Sequence, residues 1–423
     1  MDFAAECATA ARALDDFAGR AALRQGPVIR QEPMADLARA LDIDRLIAEG
    51  GLRGEAFERF LATYLGAATR LLDPRYMAHQ VAVPHPMGAV AALIDGFTNN
   101  AMAIYEMGPS AATIEAAVVD WMLGKAGWNA GGGGVLTHGG SLANLTALMA
   151  ARGRVAPEAW REGTPRDLVV IAPEACHYSL ARAVDIMGLG QKALLAAPAD
   201  DEGRIDPAGL ERALKGRRVL AVVANACATA AGLYDPLRAV AEVCRKAGAW
   251  LHVDGAHGAA ALLSSRHRGL LDGLELACSL TWDAHKMLRA PTLCAALLVR
   301  QAGDLDRAFH EEASYLFHDK DKPGFDFIHR TVECTKSALG LRLFMVLAAE
   351  GEAGLARFVD RQFDLAKAAA RLLRARPGVE VAVEPEANIV CFRVDGDDAR
   401  QLDIRRRLTA RGEHYVSTAE FRG

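Results

Sequence analysis

The chain reads as an α/β protein built on a mainly parallel sheet, and three observations predict this. Short apolar runs, among them DLVVIAP, VLAVVAN and WLHV, alternate with longer Ala- and Leu-rich stretches of helical spacing. The run Val219–Asn225 is almost continuously apolar, as a strand buried on both faces should be. Two further runs end on chemically active residues: Trp250–Val253 stops at Asp254, and Leu276–Trp282 stops at Asp283-Ala284-His285-Lys286. In a parallel sheet, ligands bind outside the carboxyl ends of the strands, so these positions draw attention first.

Length and composition narrow the class. At 423 residues the chain is too long for one small core, and two or three packed subdomains are expected. With 51% hydrophobic residues, 24% charged residues and a net charge of −4, nothing favours nucleic acid or an acidic membrane surface. Eight cysteines stand singly, with no CxxC and no Cys/His cluster at zinc-site spacing. Reduced thiols in a cytoplasm are the expectation, with no metal. The opening MDFAAECATAARALDDF carries acids and lacks both a basic segment and a long apolar core, so no signal peptide is expected. No apolar run reaches membrane-spanning length.

Taken in order, residues 1–72 have helical spacing, broken near Gly26-Pro27 and Gly50-Gly51, and form an N-terminal helical arm. Such an arm buries little alone, so it is expected to pack on a partner subunit. Asp73–Gln80 is an irregular, Pro-marked segment, followed by a turn at Val83-Pro84-His85-Pro86. Ser110 or Thr113 caps a helix over Ala111–Gly124. Gly131–Gly134 is a turn into a strand that begins at Val135 and meets Gly139-Gly140-Ser141 at the start of the next helix. Small residues there let a ligand approach the backbone, and a helix N-terminus offers unpaired N–H groups to an anion such as phosphate. Asp167–Pro173 is a strand leading to His177 and another helix, Leu194–Pro198 a short strand, and Ile205–Leu214 a helix with Asp206 and Pro207 at its start. The Val219–Asn225 strand opens into a turn containing Thr229 and Gly232. Ala290–Val299 contains a further strand. Thr331–Glu350 and Gly354–Arg374 read as helices, and Glu380–Val394 as two short strands.

An acid and a lysine at neighbouring strand ends suit one cofactor, pyridoxal phosphate. The lysine forms a Schiff base with the aldehyde, and the carboxylate keeps the ring nitrogen protonated so that the ring accepts electrons. The segments HVDGAHGA and TWDAHKML, with GGSLANL, His177-Tyr178-Ser179 and ASYLF, resemble the group II amino-acid decarboxylases that use this cofactor. That family includes the glutamate, cysteine-sulfinate, aromatic-amino-acid and diaminobutyrate decarboxylases. The segment YEMGP is most similar to the diaminobutyrate branch. The resemblance spans roughly Asp73 to Arg422. It implies fold type I: an arm over 1–72, a large cofactor domain with a mainly parallel seven-stranded sheet over 73–302, and a small C-terminal α+β domain over 303–423. It also implies a homodimer with active sites at the subunit interface.

The resemblance further implies individual roles. Lys286 holds the aldehyde, Asp254 pairs with the ring nitrogen, His177 stacks on the ring and Ala256 packs against it. Gly140 and Ser141 hold the phosphate, with Thr137 and Asn144 nearby. Asp283 and His285 lie near the phosphate, and Thr229 is a cofactor neighbour. Tyr76, His79 and Gln80 fall where the family lines the substrate side of the pocket. The implied reaction is α-decarboxylation of an L-amino acid to its amine.

Three departures from the family pattern stand out. The loop after ASYLF carries Phe325 and Phe327 but no tyrosine, where many relatives have the tyrosine that returns a proton after carbon dioxide leaves. His329 or Asp326 are candidates to replace it. The family's Gly-Arg pair reads Thr335-Lys336 here. The chain stops at Phe421-Arg422-Gly423 where relatives continue, the expectation being a truncated sequence or an abbreviated small domain. The missing tyrosine keeps open an aldehyde-forming oxidative reaction with oxygen. Another carbon–carbon lyase of the same fold, and a catalytically silent protein, also stay open.

Overall fold

The computed structural model describes residues 2–309, 324 and 326–422. The chain forms two compact units, one of residues 1–83 with 394–419 and the other of residues 84–393 with 420–423.

In the first unit, four helices follow one another: α1 (Phe3–Ala22), α2 (Met34–Ala40), α3 (Ile43–Glu49) and α4 (Glu55–Ala67). Two of the three breaks fall at the expected Gly26-Pro27 and Gly50-Gly51, and the third, at residues 41–42, separates α2 from α3 without such a signal. Asp2 caps α1 through its side chain, and Gly50 and Gly51 both take positive φ after α3 (72° and 86°). A C-terminal helix, Asp398–Arg411, joins this unit, and a single parallel bridge links Tyr76 to Tyr415. Gly412 O accepts Val28 N–H at 2.7 Å, and Tyr415 O accepts Met77 N–H at 2.9 Å.

The second unit is organised by a seven-stranded sheet. Its strands are β1 (Gly133–Thr137), β2 (Leu168–Ala172), β3 (Leu194–Ala196), β4 (Arg218–Asn225), β5 (Leu251–Asp254), β6 (Ser279–Asp283) and β7 (Ala295–Val299), in the spatial order β1-β7-β6-β5-β4-β2-β3. Only β7 runs against its neighbours, so the other six strands point the same way. Both faces are covered. Along β4, Val222 and Ala224 enter one apolar core while Ala221 and Val223 enter the other. This two-residue alternation explains why the run is apolar throughout.

The covering helices are α5 (Pro86–Thr98), α6 (Pro109–Ala126), α7 (Gly140–Val155), α8 (Ser179–Ile186), α9 (Pro207–Leu214), α10 (Leu237–Ala247) and α11 (Leu339–Arg374). Two short strands, β8 (Val379–Val381) and β9 (Phe392–Val394), form a separate pair. Helix α11 kinks at Gly351 (φ 64°, ψ 168°), which matches the two helices expected on either side. It starts at Leu339 and not at the expected Thr331. The reason is tertiary: Glu333, Lys336 and Ser337 spend their polar side chains on other elements. Lys336 is bonded to Glu115 of α6 and, at 2.5 Å, to the carbonyl of Leu136 in β1. His138 is held between Glu333 and Ser337 Oγ, the latter at 3.0 Å. Among the described residues, no helix is long and apolar enough to cross a membrane.

Candidate active site

The parallel direction of β1, β2, β4, β5 and β6 brings their carboxyl ends to one edge. Thr137 ends β1, Asp254 ends β5 and Asp283 ends β6, while the segment after β2 carries His177. Asp254 lies in register between Asn225 of β4 and Thr281 of β6.

Around Lys286 the geometry is tight. Its Nζ lies 3.2 Å from Asp283 Oδ2, and His285 Nε2 lies 3.7 Å from the same oxygen. His285 Nδ1 meets the carbonyl of Cys294 at 2.8 Å. The Cys294 backbone N–H also approaches that nitrogen, at 3.4 Å. Asp283 is buried, and its Oδ1 has no partner among the described residues. Burial pushes the Asp283 carboxyl above its ordinary value, opposed by Lys286 and His285.

Helix α7 begins beside this carboxylate. A Cβ on Gly140 would sit 2.7 Å from Asp283 Oδ1 and 2.8 Å from Oδ2, so only glycine fits. Gly139, at φ 104°, turns the chain into the helix. Gly140 and Ser141 open the helix, where backbone N–H groups lack intrahelical acceptors. Ser141 is exposed.

Asp254 is held from two sides: Asn144 Nδ2 donates to its Oδ2 at 2.9 Å, and Ala256 N–H donates to its Oδ1 at 3.2 Å. His177 Nδ1 lies 2.8 Å from Ser179 Oγ. Burial lowers the His177 pKa; Asp254 and Asp283 oppose that and Lys286 adds to it, so all three charges bear on the ring. Burial also raises the neighbouring thiols, Cys176 to about 11 and Cys227 to about 12, so neither offers a thiolate near neutral pH.

Of the residues expected from sequence, Gly140, His177, Asp254, Ala256, Asp283, His285 and Lys286 converge on this edge. Thr229 is exposed in the turn after β4. Tyr76, His79 and Gln80 belong to the first unit, where Tyr415 OH lies 3.1 Å from His79 Nε2 and the Tyr76 and Tyr415 rings meet edge-on at 5.7 Å. Phe327 is buried, with the Lys336 ammonium 4.7 Å from its ring centroid. Asp326 Oδ1 accepts the Tyr105 N–H at 3.0 Å. His329 is half-buried in the turn that follows. Phe325 and the ASYLF segment lie outside the described residues.

Two contributors were under-read from sequence. His252 stands two residues before Asp254 on the same strand face, and Ser279 is its register partner in β6. The period-two rule applied to HVD was the available signal. Asn144, expected near the phosphate, has its amide bonded to Asp254.

The donor set fits pyridoxal phosphate: an amine for the aldehyde, a fixed carboxylate for the ring nitrogen, and a glycine-lined helix N-terminus for the phosphate. The sheet order and the lysine beyond β6 define a pyridoxal-phosphate enzyme of fold type I. The comparisons narrow this further. The pyridoxal-dependent decarboxylase conserved domain matches residues 69–395, and the chain belongs to that family. Cysteine sulfinic acid decarboxylase of Mus musculus is 33% identical over 368 residues, covering 84% of this chain and 74% of the relative. L-2,4-diaminobutyrate decarboxylase of Acinetobacter baumannii is 28% identical over 395 residues, covering 86% and 77%. The crystal structure of mouse CSAD superposes with a TM-score of 0.88 at 28% identity, covering 98% of this chain and 91% of that one.

Proposed function

We propose that this enzyme removes the α-carboxylate of an L-amino acid with a short charged side chain, releasing carbon dioxide and the corresponding amine. The observation that carries this is the convergence of Lys286 and Asp254 at adjacent strand ends. The substrate class is supported by the names of the relatives, one acting on cysteine sulfinate and one on 2,4-diaminobutyrate. Both relatives are named decarboxylases, so the aldehyde-forming alternative is not favoured.

When bound, the cofactor supplies an aldehyde for amines and a protonated ring that takes up the electron pair left by carbon dioxide. Lys286 Nζ is the amine that anchors it covalently. Asp283, 3.2 Å away, orients that amine and accepts its hydrogen. Asp254, fixed by Asn144 and the Ala256 N–H, holds the proton on the ring nitrogen. His177 and Ala256 are the residues that would pack against the ring. The N–H groups of Gly140 and Ser141 hold the phosphate, with Thr229 as a further neighbour. His285, tied to Cys294 O, keeps the strand end closed around Asp283.

The working unit is proposed to be a homodimer. Met87, Val90, Ile94 and Phe97 form an exposed stripe along α5 at helical spacing, with Leu93 beside it. The opposite face, Gly88, Ala91 and Asp95, is buried. An apolar stripe of this kind supports a second copy as its cover. The eight free thiols support a reducing, cytoplasmic setting.

The test is an aerobic incubation of the pyridoxal-phosphate-loaded enzyme with a panel of L-amino acids, following carbon dioxide, amine and hydrogen peroxide together. Acidic, diamino and aromatic members are included. Carbon dioxide with equimolar amine, no peroxide, and loss of both in Lys286→Ala is the expected result. Turnover retained by Lys286→Ala, or no carbon dioxide from any substrate, overturns the proposal.

A further inference from the structure

We infer that Asn144 is a positioning residue, the branch point of a one-way hydrogen-bond chain that runs from the Trp250 indole to Asp254 and His177. This chain holds His177 with its hydrogen on Nε2. The functional weight of this rests on the reading above, in which Asp254 and His177 meet the cofactor.

The direction of the chain is forced at its two ends. An indole N–H only donates, and Trp250 Nε1 gives its hydrogen to Ser279 Oγ at 3.0 Å. The same Ser279 Oγ lies 2.8 Å from His252 Nδ1. At the other end, the Asp254 carboxylate accepts from Asn144 Nδ2 at 2.9 Å. The Asn144 amide oxygen therefore faces His252 Nε2, at 3.1 Å, and that nitrogen must donate. Complete burial, which lowers the His252 pKa to about 4, keeps the ring neutral, so its one hydrogen sits on Nε2 and Nδ1 accepts the Ser279 hydroxyl hydrogen.

The branch follows the same logic. The second Asn144 Nδ2 hydrogen reaches Ser179 Oγ at 2.9 Å. That leaves the Ser179 hydroxyl hydrogen for His177 Nδ1, at 2.8 Å. The Ser179 backbone N–H approaches the same nitrogen at 3.3 Å. Nδ1 accepts from both, so the His177 hydrogen sits on Nε2. Asn144, Ser179, His252 and Ser279 are all buried, so little water competes for these bonds. Four elements (α7, α8, β5 and β6) contribute, and every hydrogen has one acceptor. Cooperative networks of this kind select a single arrangement.

Three variants test the chain. Asn144→Leu keeps the volume and removes both donors and the acceptor. Asn144→Asp keeps the shape, cannot donate to Asp254, and sets a carboxylate against His252. His252→Gln retains an N–H to face the Asn144 oxygen. The first readout is the side-chain 15N shifts of histidine-labelled apoprotein, assigned with His177→Gln and His252→Gln. At neutral pH the wild type is expected to show the Nε2–H pattern at both rings. Asn144→Leu should turn His177 into a tautomer mixture, and Asn144→Asp should make His252 cationic at neutral pH. In the loaded enzyme, kcat/KM should fall about 10- to 100-fold in Asn144→Leu, the loss one charge-assisted hydrogen bond carries, and only a few-fold in His252→Gln. An Nδ1–H pattern at His177 in the wild type, or an unchanged pattern in a folded Asn144→Leu, overturns the inference. Asp254→Asn separates the two readings. If it keeps cofactor absorbance and turnover, the site assignment fails. If it loses turnover while Asn144→Leu keeps the His177 pattern, only the present inference fails.

Discussion

Lys336→Met is expected to destabilise the protein by about 3–5 kcal/mol near pH 8, and by less near pH 5. Lys336 stands in the altered Thr335-Lys336 pair, and its ammonium is bonded to Glu115 Oε1 and Leu136 O. Both side chains are fully buried. Removing the ammonium leaves Glu115 with one donor, Leu136 N–H at 3.0 Å, and with Oε2 unpartnered. Breaking a buried pair on one side costs about 3–5 kcal/mol, because the surviving charge is left uncompensated. Burial already raises the Glu115 carboxyl above its ordinary value, and Lys336 opposes that rise. In Lys336→Met the opposition is gone, so the folded-state value climbs further above the unfolded one. A raised carboxyl contributes stability at low pH that is lost as pH rises through the folded value. The deficit should therefore grow by about 1.4 kcal/mol per pH unit until the carboxyl ionises. Glu115→Gln with Lys336→Met removes the charge and should recover most of the loss. The assay is urea unfolding of the apoprotein at pH 5, 6.5 and 8, followed by tryptophan emission. A folded Lys336→Met within 1 kcal/mol of wild type at pH 8, or a deficit flat with pH, refutes the reasoning. Because Lys336 grips β1 immediately before His138 and the Gly139-Gly140 turn, cofactor affinity should weaken in the same variant.

Other consequences can be checked independently. Gly140→Ala places a methyl 2.7 Å from the buried Asp283 carboxylate and should weaken pyridoxal phosphate binding about 10- to 100-fold in a fluorescence titration; an unchanged Kd would show that the turn has room to spare. Asp235 receives Ile205 N–H at one oxygen (2.9 Å) and Asn225 N–H at the other (2.6 Å), so Asp235→Asn leaves one buried N–H without an acceptor. The cost should be about 1–3 kcal/mol in urea unfolding, and a neutral effect argues against both bonds. His257, bonded to Asn388 Oδ1 at 2.6 Å, has a pKa lowered to about 4 from 6.5, chiefly by burial. The fold refuses a proton that the unfolded chain takes up, so stability is present above pH 6.5 and lost as pH falls toward 4, by about 3 kcal/mol for this one residue. The acid midpoint by circular dichroism should drop in His257→Gln; no movement would count against a neutral buried imidazole.

Much was legible in the sequence because local chemistry carried it. The β4 run is apolar at every position, since the alternating sides of that strand enter two cores, and this pattern survives without any knowledge of neighbours. Gly139-Gly140 announced a tight turn because a side chain at Gly140 has nowhere to go. Asp254 and Lys286 were readable as a pair because each closes an apolar run, and parallel strands bring such ends together. Their type and order, with the motifs around them, were enough for the family.

Other features depend on which elements meet across the sheet, and residue type alone does not encode that. Helix α11 begins eight residues later than its periodicity suggests because Glu333, Lys336 and Ser337 bond to His138, Leu136 and Glu115, a competition visible only when β1 and α6 are in place. The C-terminal segment 394–419 packs with residues 1–83, a pairing of chain ends that no local pattern announces. Asn144 lies 110 residues from Asp254, and its amide finds the carboxylate only because α7 packs on the sheet that carries β5. The sequence by itself determined the fold class and the cofactor, and singled out Asp254 and Lys286 for the proposed reaction, because backbone periodicity and functional-group chemistry are local. The tertiary structure alone decided which buried donors and acceptors face one another, because hydrogen-bond partners are set by the packing of elements distant in the chain.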